Sequence, residues 1–151
     1  MPSSTLIRVL LCGLSVAAVV ACSCQVTAHV RGSTRGHVTF EIDGGRGISH
    51  LRVLAREVSG AWQPAWEVSG EDEVQEIVYG TLPAGFREQA TANVLPPNGI
   101  FEVTVGTRQG AVGPPCSGAL LFTFSPAGVV KECADIAACQ AIAGLKADAA
   151  R

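Results

Sequence analysis

The sequence predicts an all-β chain, an immunoglobulin-like β-sandwich of about seven strands with a short C-terminal helix. Three observations lead there. Apolar residues recur with a period of two in four separate segments. Clusters of Gly, Pro, Asn, Asp and Ser punctuate the intervals between them. Of 151 residues, 48% are hydrophobic and 16% charged, a balance that suits one buried core and argues against a disordered chain. The formal net charge of −2 leaves no electrostatic footprint for nucleic acid.

The strands follow in order. Residues 25–31 are a candidate first strand. Val38, Phe40 and Ile42 alternate with Thr39 and Glu41. Leu51, Val53 and Ala55 alternate with Arg52 and Leu54. Phe101, Val103 and Val105 alternate with Glu102 and Thr104, and Leu120, Phe122 and Phe124 with Leu121 and Thr123. Residues 62–68, 74–79 and 128–132 are further candidates. The separators are Asp43-Gly44-Gly45-Arg46-Gly47, Ser59-Gly60, Pro83-Ala84-Gly85, Pro96-Pro97-Asn98-Gly99 and Ser125-Pro126-Ala127-Gly128. The last of these predicts a tight hairpin between the final two strands. Residues 134–150 are Ala-rich, with Ile136, Cys139, Ile142 and Leu145 at roughly three-residue spacing. This predicts a short helix, giving way to a tail beyond Gly144.

The N-terminal segment is different. Arg8 is the only charged residue before Arg31, and an uncharged apolar run occupies residues 9–21. A run of about 13 residues is short of the roughly 20 that span a bilayer, so the layout is that of a secretory signal. Its end, Val19-Val20-Ala21-Cys22, resembles the lipobox of bacterial lipoproteins. The resemblance implies cleavage after Ala21 and attachment of lipid to the Cys22 thiol, a strong nucleophile. Each buried CH₂ contributes about 0.8 kcal/mol, so several acyl chains would hold the protein firmly to a membrane. Ser23 rather than Asp after the modified Cys implies, by the same resemblance, the outer membrane, facing the periplasm. The expected division is a signal peptide over 1–21, a lipidated tether with the first strand over 22–36, the sandwich over 37–133, and a helix or tail over 134–151.

Six Cys are present. Cys12 leaves with the signal and lipid takes Cys22. Cys24, Cys116, Cys133 and Cys139 remain, an even count with three possible pairings. Cys133 and Cys139 on one helix would lie about 9 Å apart along its axis, too far to bridge. They can pair only if a helix starts between them or the segment is irregular. The favoured pairing is Cys133–Cys139 with Cys24–Cys116, consistent with export to an oxidising compartment. No metal site or cofactor is expected: His29, His37 and His50 are scattered, Met1 is the only Met, and no metal-ligand spacing occurs.

Several features invite functional readings. Tyr79-Gly80-Thr81-Leu82-Pro83-Ala84-Gly85-Phe86, with Trp62, Trp66 and the Gly99-led strand, resembles a pattern in small bacterial envelope lipoproteins of unknown function. The resemblance covers about residues 48–124 and implies a fold more than an activity. The loop is read as a structural corner, or as a ligand-contacting end of the sandwich through Tyr79 and Phe86. Trp62 and Trp66, four apart on a strand, would face one side as a platform for sugar rings or a peptide; the plainer reading puts one in the core and the other over an edge. Glu67, Glu71, Asp72, Glu73 and Glu76 suggest a solvated acidic loop, without the spacing of a calcium loop. Arg31, Arg35, Arg46, Arg52 and Arg56 would either complement it or lie near anionic headgroups.

No serine elbow, zinc-protease helix, phosphate loop or dinucleotide fingerprint is present, and an enzyme is not expected. His37, Glu41 and Asp43, the one His–carboxylate neighbourhood, would share a solvent-facing strand side. The expected function is that of a membrane-tethered bacterial envelope lipoprotein acting as a non-catalytic binding or structural module. Its partners would be the membrane, through Cys22, and an envelope protein or cell-wall glycan. The alternative is a periplasmic inhibitor or immunity protein against a hydrolase.

Overall fold

Val38, Phe40 and Ile42 are buried while Thr39 and Glu41 between them are half-buried, and the same alternation builds most of the sheet structure. The structure, a computed structural model, describes residues 24–32, 37–43, 46–108 and 115–145. Its elements are β1 (Ala28–Arg31), β2 (Thr39–Ile42), β3 (Ile48–Arg56), β4 (Trp62–Val74), β5 (Glu76–Val78), β6 (Phe86–Ala90), β7 (Ile100–Gly106), β8 (Ser117–Phe124), β9 (Val130–Cys133) and α1 (Ile136–Ala143). A three-stranded sheet runs β1-β2-β5, and a six-stranded sheet runs β6-β4-β3-β7-β8-β9; every pairing between strands is antiparallel.

The fold is thus the expected all-β sandwich with a short C-terminal helix, though with nine strands among the described residues rather than about seven. They divide three and six, where an immunoglobulin constant-type sandwich divides four and three. The two sheets meet through aromatic rings. Phe40 of the smaller sheet packs edge-on against Phe122 of the larger, with ring centroids 5.8 Å apart. Phe122 stacks on Phe101 at 5.0 Å, and Phe124 packs edge-on against both. All four rings are fully buried.

Three features depart from the expectation. β6 was not foreseen, because its sequence, Phe-Arg-Glu-Gln-Ala, does not alternate. It is an edge strand, and a charged edge discourages pairing with another chain. β4 continues past residue 68 to Val74, because β3 pairs with it as far as Ile48↔Val74 and β6 as far as Gly70↔Phe86. Glu71, Asp72 and Glu73 therefore lie on a strand rather than in a loop. The third departure is a bulge in β4. Val53 pairs with Trp66 but the next residue, Leu54, pairs with Pro64, leaving Ala65 extra.

The hairpin at residues 125–128 forms as expected. Gly128 takes φ 79°, its amide donates to the Ser125 carbonyl at 2.8 Å, and β8 and β9 pair on either side. α1 starts at Ile136, between Cys133 and Cys139, which is what lets those two bond with Cα atoms 5.3 Å apart. The Asp135 side chain accepts from the Ala138 amide at 2.7 Å and Gly144 closes the helix at φ 72°. Its buried residues are Cys139 and Ala143; Ile136 and Ile142 are half-buried, and Leu145 lies exposed beyond the cap.

The N-terminal side is closed differently. Val26 donates to the Ser117 carbonyl and Ser117 to the Cys24 carbonyl, at 3.1 and 3.2 Å, so residues 24–26 run along the edge of β8. The chain then crosses to pair with β2. Glu132 of β9 reaches across to accept from the Val30 amide at 2.8 Å, joining the facing edges of the two sheets. β1 is a full member of the smaller sheet, so a division at residue 37 cuts across that sheet.

Candidate functional site

The four candidate ligand-contact residues do not converge. The bulge at Ala65 turns Trp66 and Trp62 to opposite faces: Trp66 shares the side of Val53, and Trp62 that of Arg56. Trp66 is fully buried and Trp62 is half-buried, so the shared platform does not form. The signal for this was Pro64. Proline cannot donate to a ladder and marks strand edges and bulges.

Trp66 instead anchors the corner. Its Nε1 donates to Glu88 at 2.9 Å, and its ring meets Tyr79 edge-on at 5.2 Å. The Tyr79 hydroxyl, with one proton to donate, lies 3.0 Å from the Ala65 carbonyl and 2.8 Å from that of Asn93. Gly80 and Gly85 adopt φ 73° and 79°, the left-handed region a turn needs here. Phe86 is buried against Gly70, where any side chain would collide with its ring. The loop thus takes the form of a structural corner.

Burial pushes the Tyr79 hydroxyl up to about 12, against a smaller lowering by the Asn93 carbonyl. Between the unfolded value near 10 and that value the native state holds a proton the unfolded state has released, so stability falls as pH rises through this window. Tyr79 is the chain's one tyrosine. Ultraviolet titration therefore reads it directly, and a midpoint well above 10 is expected. Tyr79→Phe should cost about 1 kcal/mol and abolish the signal.

His29 and His50 are paired within the fold. Asp43 contacts His29 rather than His37, at 3.0 Å, and Glu132 lies 3.6 Å from the other ring nitrogen. Glu41 pairs with Arg31 at 3.1 Å. His50 and Arg52 both contact Glu67, at 3.1 and 3.5 Å. The hydrogen bond to Asp43, then the nearby charges of Asp43 and Glu132, hold His29 above 6.5 despite some opposing desolvation. Its contribution to stability is complete below pH 6.5 and is lost as pH rises through the raised value. An NMR titration of the His29 ring should show this, with Asp43→Asn returning the midpoint toward 6.5; an unchanged midpoint would contradict the pairing.

The arginines do not gather. Arg46 contacts Sγ of Cys116, whereas Arg56 sits at the opposite end of β3, and Arg35 lies outside the described residues. Among the described residues no group of three or more His, Cys, Asp or Glu could hold a metal. Both expected disulfides are present, Cys24–Cys116 and Cys133–Cys139. Cys22 lies outside the described residues.

Two adjoining clefts lie at the end of the sandwich carrying the β3–β4 turn, apart from one of about 500 Å³ beside Gly70 and Phe86 and one of about 380 Å³ beside Gln25 and Ser117. A cleft of about 580 Å³ separates that turn from residues 93–96, lined by Arg56, Val58, Gln63, Val94 and Leu95 among others. A smaller cleft of about 320 Å³ shares Arg56 and Val58 and adds Ile100 and Leu145. Leu95 is buried, but Val58 and Val94 are almost fully exposed. Nε of Arg56 is buried without a hydrogen-bond partner. This end can offer an apolar rim around one guanidinium, which suits contact with a partner surface more than chemistry. Sequence reasoning missed it. The available signal was a large apolar residue inside the turn Glu57-Val58-Ser59-Gly60, and another, Val94, outside any alternating segment.

The molecule is therefore a two-sheet, disulfide-stapled β-sandwich with two adjoining clefts at the end carrying the β3–β4 turn. No family model, no curated protein and no solved structure matches this chain.

Proposed function

We propose that this protein is a bacterial envelope lipoprotein, tethered through lipid on Cys22, whose β-sandwich is a non-catalytic binding or structural module. The observation that carries the reading is the cysteine pattern. With Cys12 and Cys22 set aside, the remaining four cysteines close two disulfides, and such bonds persist in oxidising compartments outside the cytoplasm. The Val19-Val20-Ala21-Cys22 sequence supplies the lipidation signal, and Ser23 favours the outer membrane facing the periplasm.

The polar side chains support a module rather than an enzyme. His29, His50 and Tyr79 are engaged in holding strands and the corner together. The clefts around Arg56, Val58 and Val94 are where an envelope protein or a cell-wall glycan would dock. Fractionation of a bacterial host tests the tether. Wild type should sediment with outer membrane and Cys22→Ala should appear in the soluble periplasm; equal distribution of the two would reject the reading.

A further inference from the structure

Cys24 is two residues beyond Cys22 and is bonded to Cys116 of the folded domain. Backbone hydrogen bonds between residues 24–26 and Ser117 hold the same segment down. Two residues of fully extended chain span at most about 7 Å. A lipid on Cys22 therefore cannot stand far from Cys24, whatever path the chain takes.

Cys24 sits at one end of the sandwich. Ser117 is the first residue of β8 and pairs with Gly106, the last of β7; Gly106 pairs with His50 near the start of β3. The same strands reach the other end at Phe124, Ile100 and Arg56. From Ser117 to Phe124, β8 advances about 23 Å. The clefts around Val58 and Val94 belong to that second end.

We infer that the end of the sandwich holding Cys24, Cys116 and Arg46 is a bilayer-facing surface, its partner the lipid headgroup layer, so that the clefts around Val58 and Val94 point away from the membrane. The inference rests on the proposed tether at Cys22. Charge does not create this surface. Arg108 donates its amide to Glu73 at 2.8 Å and a guanidinium N–H to the Glu71 carbonyl, Glu73 also accepts from Gly47 at 3.3 Å, and Asp72 stands beside them. Acidic and basic groups are mixed there, so tether length governs the apposition and salt should change it little.

The test uses the full lipidated chain from a bacterial host, in nanodiscs of phosphatidylethanolamine and phosphatidylglycerol with a trace of gadolinium-chelating lipid. Relaxation falls with the sixth power of distance. With the two ends about 23 Å apart, amides of Gln25, Thr107 and Ser117 should therefore broaden at least tenfold more than those of Val58, Ser59 and Val94. A second variant carries twelve Gly and Ser residues inserted between Ser23 and Cys24, a flexible spacer of about 19 Å r.m.s. length. It should lose most of that contrast. Uniform or reversed broadening on a chain with acyl mass would overturn the orientation and leave the tether intact. Contrast surviving the insertion would overturn the claim that tether length sets it. A chain without acyl mass would take down the tether and the orientation together.

Discussion

Phe122→Ala is expected to lower the unfolding free energy by about 3–5 kcal/mol. The Phe122 ring is fully buried and is the one that touches Phe40, Phe101 and Phe124 together. Phe40 comes from the three-stranded sheet and the other three from the six-stranded sheet, so truncation opens a cavity at the contact between layers. The neighbours are held in strands on both sides and can relax only partly, and this is the condition under which the cavity cost is large. Against a typical total of about 5–15 kcal/mol, the loss would leave the variant marginal. Urea unfolding should show a lower midpoint at unchanged slope. Trp62→Ala serves as the comparison: Trp62 is half-buried on the outer side of the bulge and should cost much less. Equal effects from the two substitutions would contradict the core assignment.

The second large effect belongs to the Cys24–Cys116 bond. It closes a loop with a sequence separation of 92 residues, against 6 for Cys133–Cys139. In the chain-entropy account a loop of about 100 residues gives about 4.7 kcal/mol, and one of six residues about 2 kcal/mol. Replacing Cys24 and Cys116 together by Ala should therefore destabilise the fold roughly twice as much as replacing Cys133 and Cys139. Thermal unfolding of the two double variants under non-reducing conditions checks the order. The same order follows from structure: the long bond staples residues 24–26 to β8, whereas the short one fastens α1 to the end of β9. A smaller loss from the Cys24 pair would mean that the N-terminal segment is held by its hydrogen bonds alone.

Much of the fold was legible because strands with one buried face write a period of two into the sequence. β2, β3, β7 and β8 each carry it, and each buries the residues that the alternation selects except Ala55 and Leu120, which are half-buried. β6 was not legible, since an edge strand with exposed Arg87, Glu88 and Gln89 has no buried face to record. The disulfides were legible as a favoured pairing: Cys133 and Cys139 can bond only across a helix start or in an irregular segment, and α1 begins between them.

The candidate site was mostly not legible. Tyr79 and Phe86 were singled out and prove to be corner and core, while the bulge at Ala65 separated Trp62 from Trp66. A one-residue bulge reverses every facing residue beyond it, and spacing alone does not reveal one. Pro64 was the clue available. The clefts combine the β3–β4 turn, residues 93–96 and the end of α1, which lie far apart in the chain and meet only through topology.

The most direct measurement of the central claim is the intact mass of the mature protein purified from bacterial membranes under non-reducing conditions. The account predicts a chain that begins at Cys22, carries acyl mass on that residue, and is lighter by the four hydrogens lost in forming two disulfides. A chain of unmodified mass would contradict it.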